Sequence, residues 1–239
     1  MTNTLADKRV IVTGASRGIG LAITRAFTAL GAYVIGTRTH ASDESEACAE
    51  WIVADFTDPA QIRTCAQAVR ACEPDILINN AGINKIASFV EIDPNDFLLL
   101  QQVNVYAPFL LCQAVIPAMK RRQWGRIVNI SSIWGKIGKE YRAPYAASKF
   151  ALDGMTLALA AEHAQDGILA NCVAPGFTDT ELTRRILGND GIDKLAAMVP
   201  MRRMASVEEI ARFVTWLGGP ENSYITGQNI AIDGGFTRV

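Results

Sequence analysis

Histidine is scarce in this sequence, and paired cysteines are absent. His40 and His163 are its 2 histidines, and no H-E-x-x-H motif occurs. The 5 cysteines are scattered and form no C-x-x-C pair, which argues against a disulfide framework and against a zinc site. We therefore expect no bound metal, and chemistry that runs on organic groups.

A surplus of charge of either sign is lacking as well. The 23 basic and 24 acidic side chains leave a formal net charge of −1, so no global field attracts nucleic acid or an anionic membrane. Asp7, Lys8 and Arg9 interrupt the N-terminus before any apolar run of a signal peptide. We find no apolar segment long enough to span a bilayer. The expectation is a cytoplasmic protein without nucleic-acid or membrane partners.

What the sequence does contain is a regular alternation of short apolar runs and longer stretches of helical period. Its 239 residues, 49% of them hydrophobic, can close one sizeable core without internal repeats or linkers. The alternation predicts βαβ units and a parallel sheet. We predict an α/β fold with a single domain over residues 1–239, a doubly wound parallel sheet of about seven strands with helices on both faces.

The predicted elements follow from that alternation. Strands are predicted at residues 10–13, 32–37, 51–55, 75–79, 126–131, 168–173 and 228–232. Helices are predicted at 18–30, 59–71, 93–122 and 144–165, with a last helix that begins at the Ser206 and Glu209 capping box and ends at Gly218. Residues 42–50 are too few for a full helix, and residues 177–199 are predicted to form a lid over a substrate site.

A glycine-rich turn joins the first predicted strand to the first predicted helix. It reads Thr13-Gly14-Ala15-Ser16-Arg17-Gly18-Ile19-Gly20. Backbone N–H groups and the helix dipole at such a turn receive a diphosphate. Because the spacing G-x-x-x-G-x-G differs from the commoner G-x-G-x-x-G, an ordinary tight turn remains an alternative.

The end of the second predicted strand lacks the acidic residue with which NAD sites grip the ribose hydroxyls. It reads Gly36-Thr37-Arg38-Thr39. No carboxylate there repels a 2′-phosphate, and Arg17 and Arg38 can bind one through planar, charge-assisted hydrogen bonds. The sequence predicts NADP(H) rather than NAD(H), the alternative being that Arg38 lies on a solvated loop.

Tyr145 and Lys149 have the spacing of neighbours on one face of the predicted helix. A phenol has a pKa of about 10, which an adjacent ammonium lowers. Such a phenol is suited to protonate the alkoxide that hydride addition to a ketone creates. Ser132 can polarise the substrate oxygen, whereas Ser131 points to the opposite face. Taken singly, each of these residues is better explained by a structural role.

Together and in this order, the motifs resemble the short-chain dehydrogenase/reductase family over nearly the whole chain. The matching stretches are Thr13 to Gly20, Asn79-Asn80-Ala81-Gly82, Asn104, Ser132 with Tyr145 to Lys149, and Pro175-Gly176 with Thr178 and Thr180. The resemblance implies a Rossmann fold and metal-free hydride transfer between a nicotinamide cofactor and a ketone or alcohol.

The resemblance also implies roles for individual residues. The implied catalytic group is Asn104, which holds a relay water, with Ser132, Tyr145 and Lys149, the last also bonding the nicotinamide ribose. Implied cofactor contacts are Gly14, Ser16, Arg17, Gly18, Ile19, Gly20, Arg38, Asp55, Phe56, Asn80, Ala81, Gly82, Tyr145, Lys149, Pro175, Gly176, Phe177, Thr178 and Thr180. Expected substrate contacts are Ser132, Trp134, Tyr141 and Tyr145.

Within the family, the stretch from Pro175 through Gly188 and the C-terminal end resemble 3-oxoacyl-[acyl-carrier-protein] reductases. In those reductases, basic residues before the fifth and sixth strands help to dock the carrier protein. Here the matching positions are Gln123 and Asp166, with Arg121 and Arg122 as partial substitutes or as a solvated helix end. The expected partner is a small ketone or alcohol, free or bound to a carrier protein or coenzyme A.

We therefore expect NADPH-dependent reduction of a ketone. One alternative is a dehydrogenase of another small, cyclic or sugar-derived alcohol. Another is a catalytically silent dinucleotide-binding protein, against which the joint presence of Asn104, Ser132, Tyr145 and Lys149 argues. The resemblance implies a homotetramer that pairs the long helices and the C-terminal strand regions.

Overall fold

The computed structural model describes residues 5–41 and 47–238. The strands are β1 (Arg9–Val12), β2 (Tyr33–Arg38), β3 (Glu50–Val53), β4 (Ile76–Asn79), β5 (Gly125–Ile130), β6 (Ile168–Pro175), β7 (Thr178–Asp179), β8 (Ala205–Ser206) and β9 (Asn229–Ile232). The helices are α1 (Gly18–Ala29), α2 (Pro59–Cys72), α3 (Pro94–Gln101), α4 (Ala107–Arg122), α5 (Ala143–His163), α6 (Glu181–Met198) and α7 (Val207–Leu217).

One sheet of 7 strands organises the molecule, in the order β3-β2-β1-β4-β5-β6-β9. Every neighbouring pair in it is parallel. The strand order reverses between β1 and β4, and an open sheet of this kind places its ligand at the carboxyl ends beside that reversal. The prediction of a single-domain, doubly wound α/β fold is confirmed.

Each face of the sheet carries its own apolar cluster, because successive strand residues point to opposite sides. Leu77 packs with α2, α4 and α5, whereas Ile76 and Ile78 pack with α1 and α7. Burial on both faces is why β4 is apolar without interruption. Each such buried side chain stabilises the fold by about 1.5–3 kcal/mol.

The helix predicted over residues 93–122 is interrupted. Between α3 and α4 lies a π-helical turn, Gln102–Tyr106, which contains Asn104. Asn104 is only 1% exposed. Pro108 lies just after this turn and has no N–H to bond the carbonyl of Asn104, so a proline inside the predicted helix was the sequence signal for an irregularity here. Such turns are frequent at functional sites.

The expectation that no apolar segment could span a bilayer needs correction. The continuous helical stretch Pro94–Arg122 passes that test by length and composition, with a mean hydropathy of 1.4 over a window that is 50% buried inside the protein. Leu111, Val115 and Met119 are fully buried against the sheet. Packing in the core accounts for the buried half of this stretch, whereas Leu98 and Phe109 are exposed.

The segment after β6 contains regular structure that its polar sequence did not indicate. β7 pairs in parallel with β8, and α6 lies between them in the chain. α6 is kinked at Gly188, whose φ of 61° and ψ of −177° suit glycine. The assignment of residues 177–199 as a lid stays a prediction.

The capping box predicted for the last helix is confirmed. Ser206 Oγ accepts a hydrogen bond from Glu209 N at 3.2 Å, and Glu209 Oε2 accepts one from Ser206 N at 2.8 Å. The connection predicted to lack a full helix falls partly outside the described residues, since residues 42–46 are not among them.

Candidate active site

The predicted site residues meet at the carboxyl ends of the central strands. Asn80 follows β4, Ser132 lies just past β5, and Gly176 follows β6. Parallel strands bring these ends to one edge of the sheet, which is where a doubly wound fold binds ligands. The fold thus places polar residues distant in sequence along one cleft.

Ser132 and Tyr145 form the contact at the centre of this cleft. Ser132 is 8% exposed, and its side chain is hydrogen-bonded to that of Tyr145. Ser132 Oγ also accepts a hydrogen bond from Trp134 N at 3.2 Å, which fixes the hydroxyl at the start of a short 3-10 turn. Ser131 instead donates to the main-chain oxygen of Lys149 at 3.4 Å. Only Ser132 therefore faces the phenol.

The pKa of Tyr145 is raised above that of a free phenol, chiefly by burial, while the hydrogen bond from Ser132 and the charge of Arg142 act in the opposite direction. The sequence had suggested a pKa lowered by Lys149. In the structure Lys149 Nζ donates to the main-chain oxygen of Ile130 at 2.8 Å and lies 5.6 Å from the centroid of the Tyr145 ring. Burial therefore raises the pKa of Tyr145 by more than the nearby positive charge lowers it.

Lys149 is 4% exposed, and burial lowers its pKa to about 8. Desolvation disfavours the charged form of an amine. Its ammonium lies close to the glycine that follows β4, because a Cβ built on Gly82 would stand 3.5 Å from Lys149 Nζ and 3.3 Å from Asn104 Oδ1. The lack of a side chain at Gly82 keeps the space beside the ammonium open.

Asn104 ties the π turn to two neighbouring segments. Its Oδ1 accepts from Ile83 N at 2.9 Å, and its Nδ2 donates to Ile83 O at 2.9 Å and to Ser148 Oγ at 3.0 Å. Ser148 Oγ in turn donates to the main-chain oxygen of Tyr145 at 2.7 Å. Ser148, which the sequence reasoning passed over, thus connects Asn104 to the helix that carries Tyr145 and Lys149.

The glycine turn is held by atoms of the neighbouring strand end. Thr13 Oγ1 accepts from Asn80 N and Ala81 N, each at 2.9 Å, and Asn80 Nδ2 donates to Thr13 O at 2.9 Å and Gly14 O at 3.2 Å. Gly14 has a φ of 63°, and a Cβ on Gly20 would collide with the Gly14 carbonyl. Glycine is therefore required at both positions.

α1 begins at Gly18 with no acidic residue in its first turn and no side-chain cap at Arg17. Ser16 and Arg17 are exposed, and Gly18 and Ile19 are half-buried. The first N–H groups of the helix are thus open to an anion. This end of the cleft is suited to a diphosphate.

Arg38 stands at the end of β2, with its guanidinium 4.6 Å from the centroid of the Trp51 ring. Its Nε is buried and has no hydrogen-bond partner among the residues that the structure describes. A phosphate oxygen would satisfy such a donor. This orphaned donor and the glycine turn together fit a dinucleotide that carries a 2′-phosphate.

Two further predicted cofactor contacts lie after β3. Asp55 Oδ1 accepts from Thr57 N at 2.9 Å, and Phe56 is 5% exposed. The Phe56 ring packs into the core, and its main-chain oxygen accepts from Gln102 Nε2 at 2.9 Å. The side chain of Phe56 is therefore turned away from the cleft, whereas Asp55 is half-buried at its rim.

The loop after β6 meets the glycine turn. A Cβ on Gly18 would lie 3.8 Å from Thr180 Cγ2, and Thr180 caps α6 by accepting from Thr183 N at 3.1 Å. Thr178 donates to Gly176 O at 3.2 Å, and Pro175 is buried as the last residue of β6. A groove of about 440 Å³ opens between α1, α6 and α7 beside this junction, lined in part by Gly18 and Thr180.

Trp134 belongs to an aromatic cluster that the sequence did not reveal. Its ring contacts those of Phe177 and Phe236 edge to face, at centroid distances of 6.1 Å and 5.9 Å, and the two phenylalanines lie 5.1 Å apart. Tyr141 is 57% exposed and has a φ of 63°. Trp134 is thus packed against two rings, while Tyr141 is open to solvent.

The chain is similar to known proteins over nearly its whole length. The family described as "Enoyl-(Acyl carrier protein) reductase" matches residues 14–237. Over 240 residues the chain is 39% identical to the 3-oxoacyl-[acyl-carrier-protein] reductase FabG of Escherichia coli strain K12, covering 97% of this chain and 98% of that protein. The corresponding protein of Salmonella typhimurium is 40% identical over the same length, with the same coverage.

Solved structures match over the same extent. A structure titled "short chain dehydrogenase/reductase family protein" superposes with a TM-score of 0.91 at 35% identity, covering 99% of this chain and 100% of the other. A gluconate 5-dehydrogenase from Burkholderia cenocepacia, in complex with NADP and tartrate, superposes with a TM-score of 0.88 at 31% identity, covering 99% and 98%.

Proposed function

The chain belongs to the short-chain dehydrogenase/reductase family of oxidoreductases, and within it we propose that this protein reduces a ketone to a secondary alcohol with NADPH, Tyr145 donating the proton. The observation that carries the proposal is the hydrogen bond between Tyr145 and Ser132, with Lys149 close behind the ring. A proton donor, a polarising hydroxyl and a cation thus surround one point of the cleft.

The cofactor is NADP(H), in agreement with the NADP bound to a neighbouring structure. The glycine turn from Gly14 to Gly20 holds the diphosphate, and Arg17 and Arg38 hold the 2′-phosphate. Asn80, Gly82, Lys149 and the loop from Pro175 to Thr180 border the nicotinamide end. When bound, the cofactor supplies the hydride that reduces the carbonyl carbon.

Proton transfer rests on the chain's own residues. The raised pKa of Tyr145 keeps its phenol protonated at neutral pH, the form that a general acid needs for reduction. Trp134 N donates to Ser132 Oγ and so holds this hydroxyl where it can turn its proton from Tyr145 to the substrate oxygen when a substrate binds. Lys149 stabilises the developing negative charge. Asn104 holds the π turn against Ile83 and Ser148 beside this ammonium, where the family resemblance implies a relay water.

Oxidation of a secondary alcohol is the second candidate, and the gluconate 5-dehydrogenase among the structural neighbours favours it. In that direction Tyr145 acts as the base. A raised pKa disfavours the phenolate that oxidation requires. Reduction is therefore the direction that the electrostatics of the site support best.

The surface at which the family resemblance predicts carrier docking gives that function little support. Arg121 pairs with Glu73, Arg122 Nε lies 3.2 Å from Asp75 Oδ1, and Lys120 Nζ lies 3.0 Å from Asp166 Oδ2. These cations are already neutralised within the chain. We favour a substrate that is not presented by an acidic carrier protein.

Assembly as a homotetramer follows the family resemblance. Tyr106, Phe109, Phe150 and Leu157 on the long helices are 39%, 42%, 47% and 52% exposed. Apolar side chains exposed in this way suit a helix-to-helix interface between copies. Light scattering coupled to gel filtration tests it, and a monomeric mass would contradict it.

The test of the function is NADPH oxidation over a panel of ketones that includes an acetoacetyl thioester, free and carrier-bound. We expect turnover by the wild type and loss of at least about a thousandfold in Tyr145→Phe, because the proton donor is removed. NADPH binding, measured by fluorescence, should survive. Activity of Tyr145→Phe within a few-fold of wild type would refute the acid assignment.

A further inference from the structure

Arg142 lies close to Tyr145, the proposed proton donor. It is the residue directly before α5, and Tyr145 lies in the first turn of that helix. Arg142 is half-buried, and its charge acts on the pKa of Tyr145, so it lies within electrostatic reach of the phenol. The preceding residue, Tyr141, has a left-handed φ of 63°, and its main-chain oxygen accepts from Ala87 N at 3.3 Å.

The other cations of the same connection have partners within the chain. Lys136 Nζ donates to the main-chain oxygen of Asn229 at 2.7 Å, and Lys139 forms an ion pair with Glu140. Across residues 5–41 and 47–238, no carboxylate pairs with the Arg142 guanidinium and no acceptor bonds to it. The first turn of α5 contains no acidic residue.

Two other arginines, Arg184 on α6 and Arg203 just before β8, differ from Arg142 in this respect. Arg184 is bonded through two nitrogens to Asp179, and Arg203 is bonded in the same way to Glu209. Such bidentate pairs satisfy the planar fork of an arginine. Within the part of the chain that the structure describes, the Arg142 guanidinium stays without a partner at a half-buried position, although desolvating a charge without a partner is unfavourable.

From this arrangement we propose that Arg142 binds a carboxylate of the substrate, so that the natural substrates of the reductase proposed above are keto acids. A carboxylate accepts two parallel hydrogen bonds from an arginine fork. With the reacting oxygen held by Ser132 and Tyr145, the anionic end of the substrate then points toward the start of α5. The tartrate in the related gluconate 5-dehydrogenase structure is likewise a carboxylate-bearing compound.

Matched pairs of ketones test this proposal through kcat/KM with NADPH. One pair is acetoacetate and methyl acetoacetate. The other is D-gluconate oxidised at its fifth carbon and L-sorbose, which has hydroxymethyl in place of the carboxylate. We expect the wild type to prefer the acid in at least one pair, and Arg142→Gln to lower kcat/KM for that acid about tenfold to hundredfold while its neutral partner changes less than about threefold.

Two further variants separate this role from a structural one. Lys139→Gln removes the same charge from the same connection, but from a cation that is already paired, and should leave the acid preference unchanged. Arg142→Lys keeps the charge and should restore part of the preference. An equal loss on acid and neutral ketone in Arg142→Gln, or a wild-type preference for the neutral ketones, would overturn the proposal.

Binding measurements keep this proposal distinct from the proposed reductase activity. Titration calorimetry of each acid into NADP⁺-saturated protein requires no turnover. If no ketone is reduced but an acid binds and Arg142→Gln abolishes that binding, the keto-acid site stands and the reductase assignment falls. If ketones are reduced but no acid shows Arg142-dependent binding, the reductase assignment stands and the keto-acid site falls.

Discussion

The nucleotide end and the catalytic end of the cleft are held together by different means. Around the glycine turn, the hydrogen bonds run to main-chain atoms. The side chains of Thr13 and Asn80 bond to backbone groups, and Gly14 and Gly20 allow two backbone segments to approach closely. At the catalytic end the groups that face the cleft are side chains, and most of them are anchored in turn by main-chain atoms. Ser132, Tyr145 and Asn104 come from separate segments and meet only in the folded chain.

This difference determines which substitutions each end of the cleft can tolerate. A main-chain cradle demands glycine at particular positions, because any Cβ would collide or require a strained φ. A side-chain constellation demands chemical groups at particular points, and their supports can come from anywhere in the chain. We therefore expect substitutions at the catalytic end to change rate, and substitutions at the nucleotide end to change cofactor affinity.

Among the substitutions that test this difference between the two ends of the cleft, Ser132→Ala should have the largest effect. Loss of one preorganised donor to a developing oxyanion lowers kcat by about 10²–10³. Ser131→Ala is the matched control, since that hydroxyl bonds to the main-chain oxygen of Lys149 and faces away from the phenol. Both variants should bind NADPH like the wild type. Steady-state kinetics that showed a similar loss in the two variants would remove the distinction between the serines.

Arg38→Ala should produce a smaller effect, on cofactor preference and not on the rate. Loss of a charge-assisted contact to the 2′-phosphate should lower the NADPH over NADH preference about tenfold to hundredfold, with kcat at saturating cofactor nearly unchanged. Arg63→Ala, an exposed arginine on α2, serves as control. Unchanged preference in Arg38→Ala would place the selection of the phosphate elsewhere.

The pH profile of reduction should show the smallest effect. Burial lowers the pKa of Lys149 to about 8 and raises that of Tyr145, so the ammonium loses its proton first as pH rises. The rate should therefore decline severalfold above about pH 8 although the phenol remains protonated. In Lys149→Arg the cation does not titrate, and any remaining decline should move to higher pH. A wild-type profile that stayed flat well above pH 8 would exclude this role for the ammonium.

Much of the fold could be predicted because its signals are local. The uninterrupted apolar run of β4 results from burial on both faces, and the Ser206 and Glu209 capping box is a contact between near neighbours. Pro108 inside the predicted helix 93–122 signalled an interruption, but its form, a π turn at Asn104, was decided by the packing of that residue against Ile83 and Ser148. The helical stretch 94–122 also has the apolar composition of a membrane span, and its packing against the sheet explains the buried half of that composition.

The candidate site divides in the same way. Tyr145 and Lys149 were predicted because a fixed spacing on one helix carries the signal. Phe236 and Ser148 left no such signal, since each matters through residues far away in sequence. Arg142 could be read off the sequence as a cation, but only the folded chain shows that it has no counterion among residues 5–41 and 47–238.

By itself, the sequence determined the alternation of strands and helices, the glycine turn and the types of the reacting groups, because periodicity, small size and chemical identity are properties of neighbouring residues. Tertiary structure alone decided which cations are paired, which hydroxyl faces the phenol and how far burial shifts the pKa of Tyr145 and Lys149. Those quantities depend on the local dielectric and on contacts across the whole chain, which no stretch of sequence contains.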